Sequence, residues 1–277
     1  MLSRTDYLSY FPHGGPKIRP GPNTPIESAL LIAARDGEIG EMRRLIRAGA
    51  PVDARDTKRN LRFSPLSWAA YGGLAEGCLM LLAAGAKPLL DACGRSPLAL
   101  ASWSGHFECV KILATPLQAA LPDDQGWTPL MRAAAGGRGS CAEILAPISN
   151  LAAANFNGWR AIAIAAAYGQ TETLAILLAN AGLSDIEAPD AQGCTPLMRA
   201  AGNGQRAAAM MLIRAGANPQ PWGADGPCAR EAARKAGWQD LASEIQFTID
   251  ADGERRELIK HLDGELGLGE PAGSQWL

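Results

Sequence analysis

The chain repeats one short phrase, a Ser or Thr followed by Pro-Leu, and a glycine stands nine residues after each Ser or Thr. The phrase begins at Ser64, Ser96, Thr128 and Thr195. Three weaker copies complete a series of seven such glycines, which are Gly37, Gly73, Gly105, Gly137, Gly169, Gly204 and Gly237. Successive glycines lie 36, 32, 32, 32, 35 and 33 residues apart. Self-similarity with this period predicts a stack of like units.

One copy of the repeat, residues 123–145, can be interpreted physically as a turn and two helices. It opens with Asp-Asp-Gln-Gly, a sequence that suits a tight turn. Thr128 is placed to cap a helix, and Pro129 fits the first helical position, where its missing N–H is not needed. Gly137 ends this helix, and the apolar spacing that follows predicts a second one. Neither helix can bury its apolar face alone, so neighbouring copies must stack.

Gly-Ala pairs at Gly49, Gly85 and Gly216 each follow the phrase-ending glycine by twelve residues. With them the chain resembles the ankyrin repeat, whose signature is a turn of the form D-x-x-G-x, then T-P-L-H-x-A, and later a leucine pair before Gly-Ala. The resemblance covers roughly residues 24–245. It implies six to seven repeats in an all-α repeat solenoid, an ankyrin-like helix-turn-helix stack with β-hairpin or turn connections.

This periodicity predicts three regions: a Pro/Gly-rich N-terminal arm over residues 1–23, an ankyrin repeat domain over 24–249, and a C-terminal helix and flexible tail over 250–277. The first and last copies depart from the phrase and are expected to be terminal caps. The arm is either a disordered leader or a non-helical cap whose aromatic side chains pack on the first repeat. The repeats are predicted near residues 24–57, 58–90, 91–122, 123–154, 155–189, 190–224 and 225–249.

Composition narrows the class of partner. The 26 basic and 28 acidic side chains give a net charge of −2, so no basic field favours nucleic acid. No stretch approaches the roughly 20 apolar residues of a membrane span, and the N-terminus lacks the apolar core of a secretory signal. We therefore expect a cytoplasmic protein that binds neither nucleic acid nor membrane, with delivery into a host cell left open.

No catalytic motif is recognisable in the chain. There is no P-loop, and none of the six cysteines belongs to a C-x-x-C pair, so we predict no enzyme activity, no cofactor and no metal site. Cys109 and Cys141 are 32 residues apart at the same point of the second helix and are expected to be stacked core residues. Modification of Cys93 or Cys194, both on predicted turns, remains open. His106 follows Gly105, as in the Gly-His of the ankyrin pattern, so its expected role is structural.

The resemblance implies that a protein partner binds in a concave groove, at positions that the fold does not dictate. Many of these positions hold aromatic residues or arginine, the types enriched at binding hot spots. The alternative is that some of the rings fold down between neighbouring hairpins and cover the Ala-rich helices, as we expect for Trp68. The candidates are Phe63, Arg95, Trp127 and Trp159 before the phrase, Phe156 within a turn, and Tyr71, Trp103 and Tyr168 near the ends of first helices.

The first glycine spacing of 36 places an insertion at residues 55–62. This longer first hairpin carries four positive charges, at Arg55, Lys58, Arg59 and Arg62. One interpretation is a basic finger that steers an acidic partner and acts mainly on the association rate and its salt dependence. The other is a solvated loop, partly neutralised by nearby aspartates. The sequence favours neither, and we include Lys58, Arg59 and Arg62 among the candidate partner-binding residues.

Taken together, these patterns predict a non-catalytic protein–protein interaction module that binds a protein partner through the hairpin tips and first helices of repeats two to five. An alternative is a bacterial effector or immunity-type inhibitor that blocks one target enzyme with the long first hairpin or the N-terminal arm. Because both ends of the array look capped, we expect a monomer in the absence of the partner.

Overall fold

The computed structural model describes residues 26–56, 61–220 and 228–251. Helices joined by turns make up these ranges, which contain no strand. The all-α solenoid prediction is therefore confirmed, with turns as the connections. The predicted N-terminal arm, the tail beyond residue 251, and Lys58 and Arg59 lie outside the described residues. The chain divides into two compact units, Met1–Asn150 and Leu151–Leu277.

The first unit contains four consecutive helix pairs. In each pair we call the helix that ends near the phrase-ending glycine the first helix and the next one the second helix. A short helix, α7 (Pro116–Ala119), precedes the fourth pair, and a 3-10 turn, Ala146–Ile148, follows it. The pairs are α1 (Ile26–Asp36) with α2 (Ile39–Arg47), α3 (Pro65–Tyr71) with α4 (Ala75–Ala83), α5 (Pro97–Ser104) with α6 (Phe107–Leu113), and α8 (Pro129–Gly136) with α9 (Gly139–Leu145).

The second unit repeats the same arrangement three times. Its helices are α10 (Ala161–Ala167) with α11 (Thr171–Ala179), the short α12 (Leu183–Ile186), α13 (Pro196–Gly202) with α14 (Arg206–Arg214), and α15 (Ala229–Lys235) with α16 at residues 239–251. Helix α16 buries Leu241, Ala242 and Ile245.

The Ser/Thr-Pro-Leu phrase starts first helices as predicted. At Ser64 and Ser96 the side-chain hydroxyl accepts the backbone N–H of the residue three positions on, at 3.1 Å in both cases, and Pro occupies the first helical turn. Thr128 and Thr195 cap α8 and α13 in the same way. In the fifth copy Arg160 takes the cap position without a capping bond, and its guanidinium instead pairs with Asp185 of α12 at 2.9 Å.

Small side chains let neighbouring first helices pack closely. Leu66, Leu98 and Leu130 are buried, and alanines fill the positions around them. In the first unit α3 packs against α5 and α5 against α8, while the second helices α4, α6 and α9 pack in the same order. In the second unit α10 packs against α13 and α13 against α15. Within each unit, neighbouring helix pairs thus bury their apolar faces against one another.

Close approach between consecutive copies occurs at four of the phrase-ending glycines, Gly73, Gly105, Gly169 and Gly204. Gly105 has a φ of +86°, and a Cβ added there would lie 2.6 Å from the Cδ of Arg138 in the next copy. Gly73 has the same relation to the ring of His106, which donates from Nε2 to the carbonyl oxygen of Tyr71 at 2.9 Å. Burial lowers the pKa of His106, which keeps the ring neutral at pH 7. The period of the sequence therefore corresponds to a packing requirement.

We expect the Gly105→Ala variant to be less stable than wild type by about 1–2 kcal/mol, because alanine in the left-handed region is strained and its Cβ would meet Arg138. The measurement is urea unfolding followed by circular dichroism. The control is Gly40→Ala within α2, where a Cβ meets nothing within 4 Å. That change should leave stability unchanged or raise it by about 0.5–1 kcal/mol. Equal effects of the two substitutions would contradict the packing role of Gly105.

Candidate partner-binding surface

A turn of one recurring design precedes several first helices. We call these turn B (residues 91–95), turn C (123–127), turn D (155–159) and turn E (190–194). In each, the first residue donates its backbone N–H to the carbonyl oxygen four positions on, at 3.0 Å. The side-chain oxygen of that first residue accepts the N–H groups two and four positions on, with distances of 2.8–3.0 Å. The last residue of each of these four turns, directly before the cap of the first helix, is therefore held in the same place.

The second carboxylate oxygen of the turn aspartates binds an arginine. Asp91 pairs with Arg95 at 2.7 Å, and Asp123 with Nε of Arg132 at 3.0 Å. Asp190 pairs with Arg199 at 2.6 Å. Each of these carboxylates is almost fully buried, which requires a cationic partner. The turn network thus fixes three arginines in the scaffold.

Turn D satisfies the same backbone groups without a charge. Its first residue is Asn155, whose amide oxygen accepts the N–H groups of Asn157 and Trp159 at 3.0 Å. The position that holds Arg132 in the copy with turn C is occupied here by Ile164, which is fully buried. The chain therefore combines Asp with Arg in turns C and E, and Asn with an apolar residue in turn D.

Consecutive turns are joined by backbone hydrogen bonds. In the first unit Asp124 of turn C donates to the carbonyl oxygen of Cys93 in turn B at 3.1 Å. Ala92 of turn B likewise donates to the carbonyl oxygen of Leu61, at 2.9 Å. In the second unit Ala191 of turn E donates to Asn157 of turn D at 3.1 Å. Within each unit the turns are therefore fixed to one another as well as to their own helices.

The first hairpin is longer than the others, as the glycine spacing predicted. We call it turn A (residues 56–63), and it is closed by a bond from the Asp56 N–H to the Phe63 carbonyl oxygen at 2.8 Å. That bond spans seven positions, compared with four in turns B to E. Leu61 is buried at the end of turn A, whereas Arg62 is exposed and has a φ of +52°.

Of the nine candidate residues that the structure describes, three are buried. Phe63 is 0% exposed and lies edge-to-face against Trp68, with a centroid distance of 4.7 Å. Arg95 and Trp159 are each 7% exposed. The guanidinium of Arg95 lies 5.9 Å from the centre of the Phe63 ring, and that of Arg199 lies 5.0 Å from the Trp159 ring. At these positions, as at Trp68, side chains fold down into the scaffold and offer almost no surface to a partner.

Other candidates keep exposed surface. In the first unit Tyr71 and Trp103 lie at the ends of α3 and α5, two residues before Gly73 and Gly105, and both are partly exposed. Burial raises the pKa of Tyr71. Trp127 is also partly exposed and lies 4.8 Å below the guanidinium of Arg132.

In the second unit Phe156 is 79% exposed in turn D, and Tyr168 is 49% exposed after α10. The structure therefore presents exposed aromatic candidates in both units, and Arg62 in the first.

Two residues beside turn A are not among the candidate partner-binding residues, although the sequence assigns one of them, Arg55, to the basic first hairpin. The guanidinium of Arg55 donates from Nη1 to the carbonyl oxygens of Arg62, at 2.9 Å, and of Leu90. Leu90, directly before turn B, is 40% exposed. The sequence argument for Arg62 as a partner-binding residue rests on its charge alone. The alignment of Arg62 with the glycines of turns B to E is the sequence signal for its special backbone conformation.

The cysteines of the second helices form a buried group. Cys109 and Cys141 are both buried, as predicted, and Cys78 joins them with its Sγ 4.0 Å from that of Cys109. Burial raises the pKa of Cys141 to about 11, so this thiol is protonated at neutral pH.

Across the described ranges, no cluster of three or more His, Cys, Asp or Glu side chains is arranged to hold a metal ion. Nor does any helix in the described part of the chain have the length and apolarity needed to span a membrane.

The use of an Asp–Arg pair in turns C and E and of an Asn–Ile pair in turn D predicts that a double substitution restores the stability that each single substitution removes. Asp123→Asn or Arg132→Ile alone should each lower the free energy of unfolding by about 3 kcal/mol, because each leaves a buried polar partner uncompensated. The double variant reproduces the combination found in turn D and should recover to within about 1 kcal/mol of wild type. Urea unfolding of the four proteins measures this cycle. Additive losses in the double variant would contradict the pairing.

The comparisons with known proteins agree with this architecture. The sequence model described as ankyrin repeats (three copies) matches residues 85–154 and 148–221. Among solved structures, the ankyrin repeat domain of Bcl-3, a member of the IkappaB protein family, is 24% identical with a TM-score of 0.64, over 76% of this chain and 96% of that one.

The human ASB11 ankyrin repeat domain is 25% identical with a TM-score of 0.66, over 78% of this chain and 96% of that one. No curated protein sequence matches the chain. The matched residues contain the capped helices α5, α8 and α13, turns B to E and the contact of Gly105 with Arg138. The chain therefore belongs to the ankyrin repeat family.

Proposed function

We propose that this protein is a non-catalytic interaction module that binds a protein partner through exposed side chains on its turns and at the ends of its first helices. Ankyrin repeat domains are in general protein–protein interaction modules, which supports this class of function. In the first unit the proposed surface comprises Trp103, Trp127 and Tyr71, together with Arg62 of turn A. In the second unit it comprises Phe156 and Tyr168. We expect the free protein to be a monomer.

The observation that carries the proposal is the aromatic pair Tyr71 and Trp103. These residues stand two positions before the phrase-ending glycine, and both retain solvent-accessible surface. The same position holds Ala135, Ala167 and Gly202 in other copies, and those copies form the same helix pair. Stacking therefore does not require a large ring at this position. Large, partly exposed rings at a position where other copies have alanine or glycine are of the type enriched at recognition sites, which supports the proposal.

Both members of the pair also make contacts within the scaffold. Tyr71 also contacts Phe63 and Trp68, with centroid distances of 6.3 and 6.4 Å, so its ring contributes to the scaffold as well. The carbonyl oxygen of Trp103 accepts a hydrogen bond from Nε of Arg138 at 3.2 Å. That bond uses the backbone alone and survives truncation of the side chain. Removing the indole of Trp103 therefore leaves this backbone bond in place.

A second candidate function is inhibition of one target enzyme, as in an effector or an immunity-type inhibitor, with turn A entering the active site of the target. The length of turn A and the exposure of Arg62 favour this alternative. Replacing Lys58, Arg59 and Arg62 together should abolish inhibition by an inserted turn. A partner that binds the aromatic surface should instead lose mainly association rate, and its salt dependence should fall.

The Trp103→Ala/Trp127→Ala double variant should lose affinity for the partner by about 30-fold or more, since buried aromatic hot spots contribute about 2 kcal/mol or more. The partner is first captured from lysate of the source organism by the wild-type protein, and its affinity for each variant is then measured by calorimetry. Circular dichroism checks that the variants are folded.

The matched control is Phe247→Ala, which removes a 76% exposed ring on α16, outside the proposed surface. This variant should bind as wild type does. If the double variant also binds as wild type does, the tryptophans belong to the scaffold and the proposed surface is wrong.

A further inference from the structure

Arg62 occupies a position that the other turns give to glycine. In turns B to E the residue before the last is a glycine with a φ between 72° and 79°; these residues are Gly94, Gly126, Gly158 and Gly193. Arg62 stands at the same place in turn A and has a φ of +52°. Among the described residues it is the only non-glycine with a positive φ. An L-amino acid with a Cβ is strained in this region, whereas glycine is not.

Contacts on every side hold Arg62 in this conformation. Before it, Leu61 is buried and its carbonyl oxygen accepts the N–H of Ala92 in turn B at 2.9 Å. After it, Phe63 is fully buried and closes turn A through its bond with Asp56. The carbonyl oxygen of Arg62 itself accepts from Nη1 of Arg55 at 2.9 Å. The backbone is therefore fixed by its surroundings, which is the condition under which local strain persists.

The side chain of Arg62, in contrast, is exposed, and no described residue forms an ion pair with it. The scaffold therefore gains nothing from this guanidinium, while glycine at the same place would remove the strain. Strained residues that the surrounding structure over-determines are characteristic of ligand-binding sites. We therefore expect the role of Arg62 to lie in what its guanidinium binds.

We propose that Arg62 is a specificity-determining residue that binds a carboxylate on an acidic segment of the partner protein. The inference rests on the proposed function and names the chemistry that this surface recognises. A guanidinium matches a carboxylate with two parallel hydrogen bonds, which supplies both direction and energy. Because the backbone of Arg62 is already fixed, less freedom is lost when the partner binds. Arg55 is a positioning residue, since it holds the Arg62 carbonyl and reaches Leu90 of the neighbouring copy.

Strain is tested first, without any ligand. We expect Arg62→Gly and Arg62→Asn to raise Tm by about 2 °C, because glycine and asparagine adopt a positive φ more easily. Arg62→Ala removes the same side chain but keeps the Cβ strain, so its Tm should stay near that of wild type. If Arg62→Gly and Arg62→Asn melt at or below the Tm of Arg62→Ala, the position is not strained and the inference fails.

Recognition is tested with two peptide arrays. One carries random 12-residue peptides, and the other carries the same peptides with every Asp and Glu replaced by Asn and Gln. Wild type should bind the acidic array at least tenfold more strongly than the amide array, and Arg62→Asn should lose this preference while still binding. Arg47→Asn is the matched control, because it removes one positive charge from an exposed position at the end of α2. It should leave the preference unchanged.

The outcomes separate this inference from the proposed function. A preference that persists in Arg62→Asn, or that Arg47→Asn also abolishes, overturns the role of Arg62. Equal binding of both arrays by wild type overturns carboxylate recognition. If the Trp103→Ala/Trp127→Ala variant then loses binding to both arrays, the proposed function through the aromatic surface is still supported. Absence of binding to either array overturns the inference, whereas the proposed function is then decided by the affinity of the captured partner for the Trp103→Ala/Trp127→Ala variant.

Discussion

The stack depends on close approach between consecutive copies at the phrase-ending glycine. At Gly105 the backbone has a positive φ, and the side chain of Arg138 fills the space that a Cβ would need. The same contact links Gly73 with His106, and in the second unit it links Gly204 with Trp238. This contact sets the distance at which the Ala-rich first helices pack. It explains why the glycine recurs, whereas its contact residue in the next copy varies between His106, Arg138 and Trp238.

The turns depend on a buried acceptor that satisfies two backbone N–H groups. Where that acceptor is a carboxylate, as in Asp123 and Asp190, an arginine nine residues on must neutralise it. Where it is Asn155, the corresponding position can be apolar. The charge of an arginine therefore does not by itself identify it as a partner-binding residue, since several arginines in this array neutralise buried aspartates of the scaffold. Arg62 is different, because its backbone is held by the structure while its charge is left at the surface.

The sequence predicted the fold largely because the signals are local and repeated. Caps at Ser96 and Thr128 and glycines with a positive φ form within a few residues of chain, so each copy of the phrase specifies the same helix start and end. The candidate surface was predicted less well. Phe63 and Trp159 occupy the same place in the repeat as Trp127, yet the first two are buried and the third keeps exposed surface. Which way a ring turns depends on the neighbouring copy, more than thirty residues away in the chain.

The sequence by itself thus determined the repeat, the helix ends, the positions of the turns and the longer first hairpin, because periodicity, capping and turn formation follow from residues close together in the chain. Only the tertiary structure decided which candidates are surface and which are scaffold. It showed that Arg95 completes the Asp91 turn, that Arg55 donates to the carbonyl oxygens of Arg62 and Leu90, and that Arg62 lies in a backbone conformation favoured by glycine. The physical reason is that burial, ion pairing and backbone strain are fixed by contacts between copies, which no single copy contains.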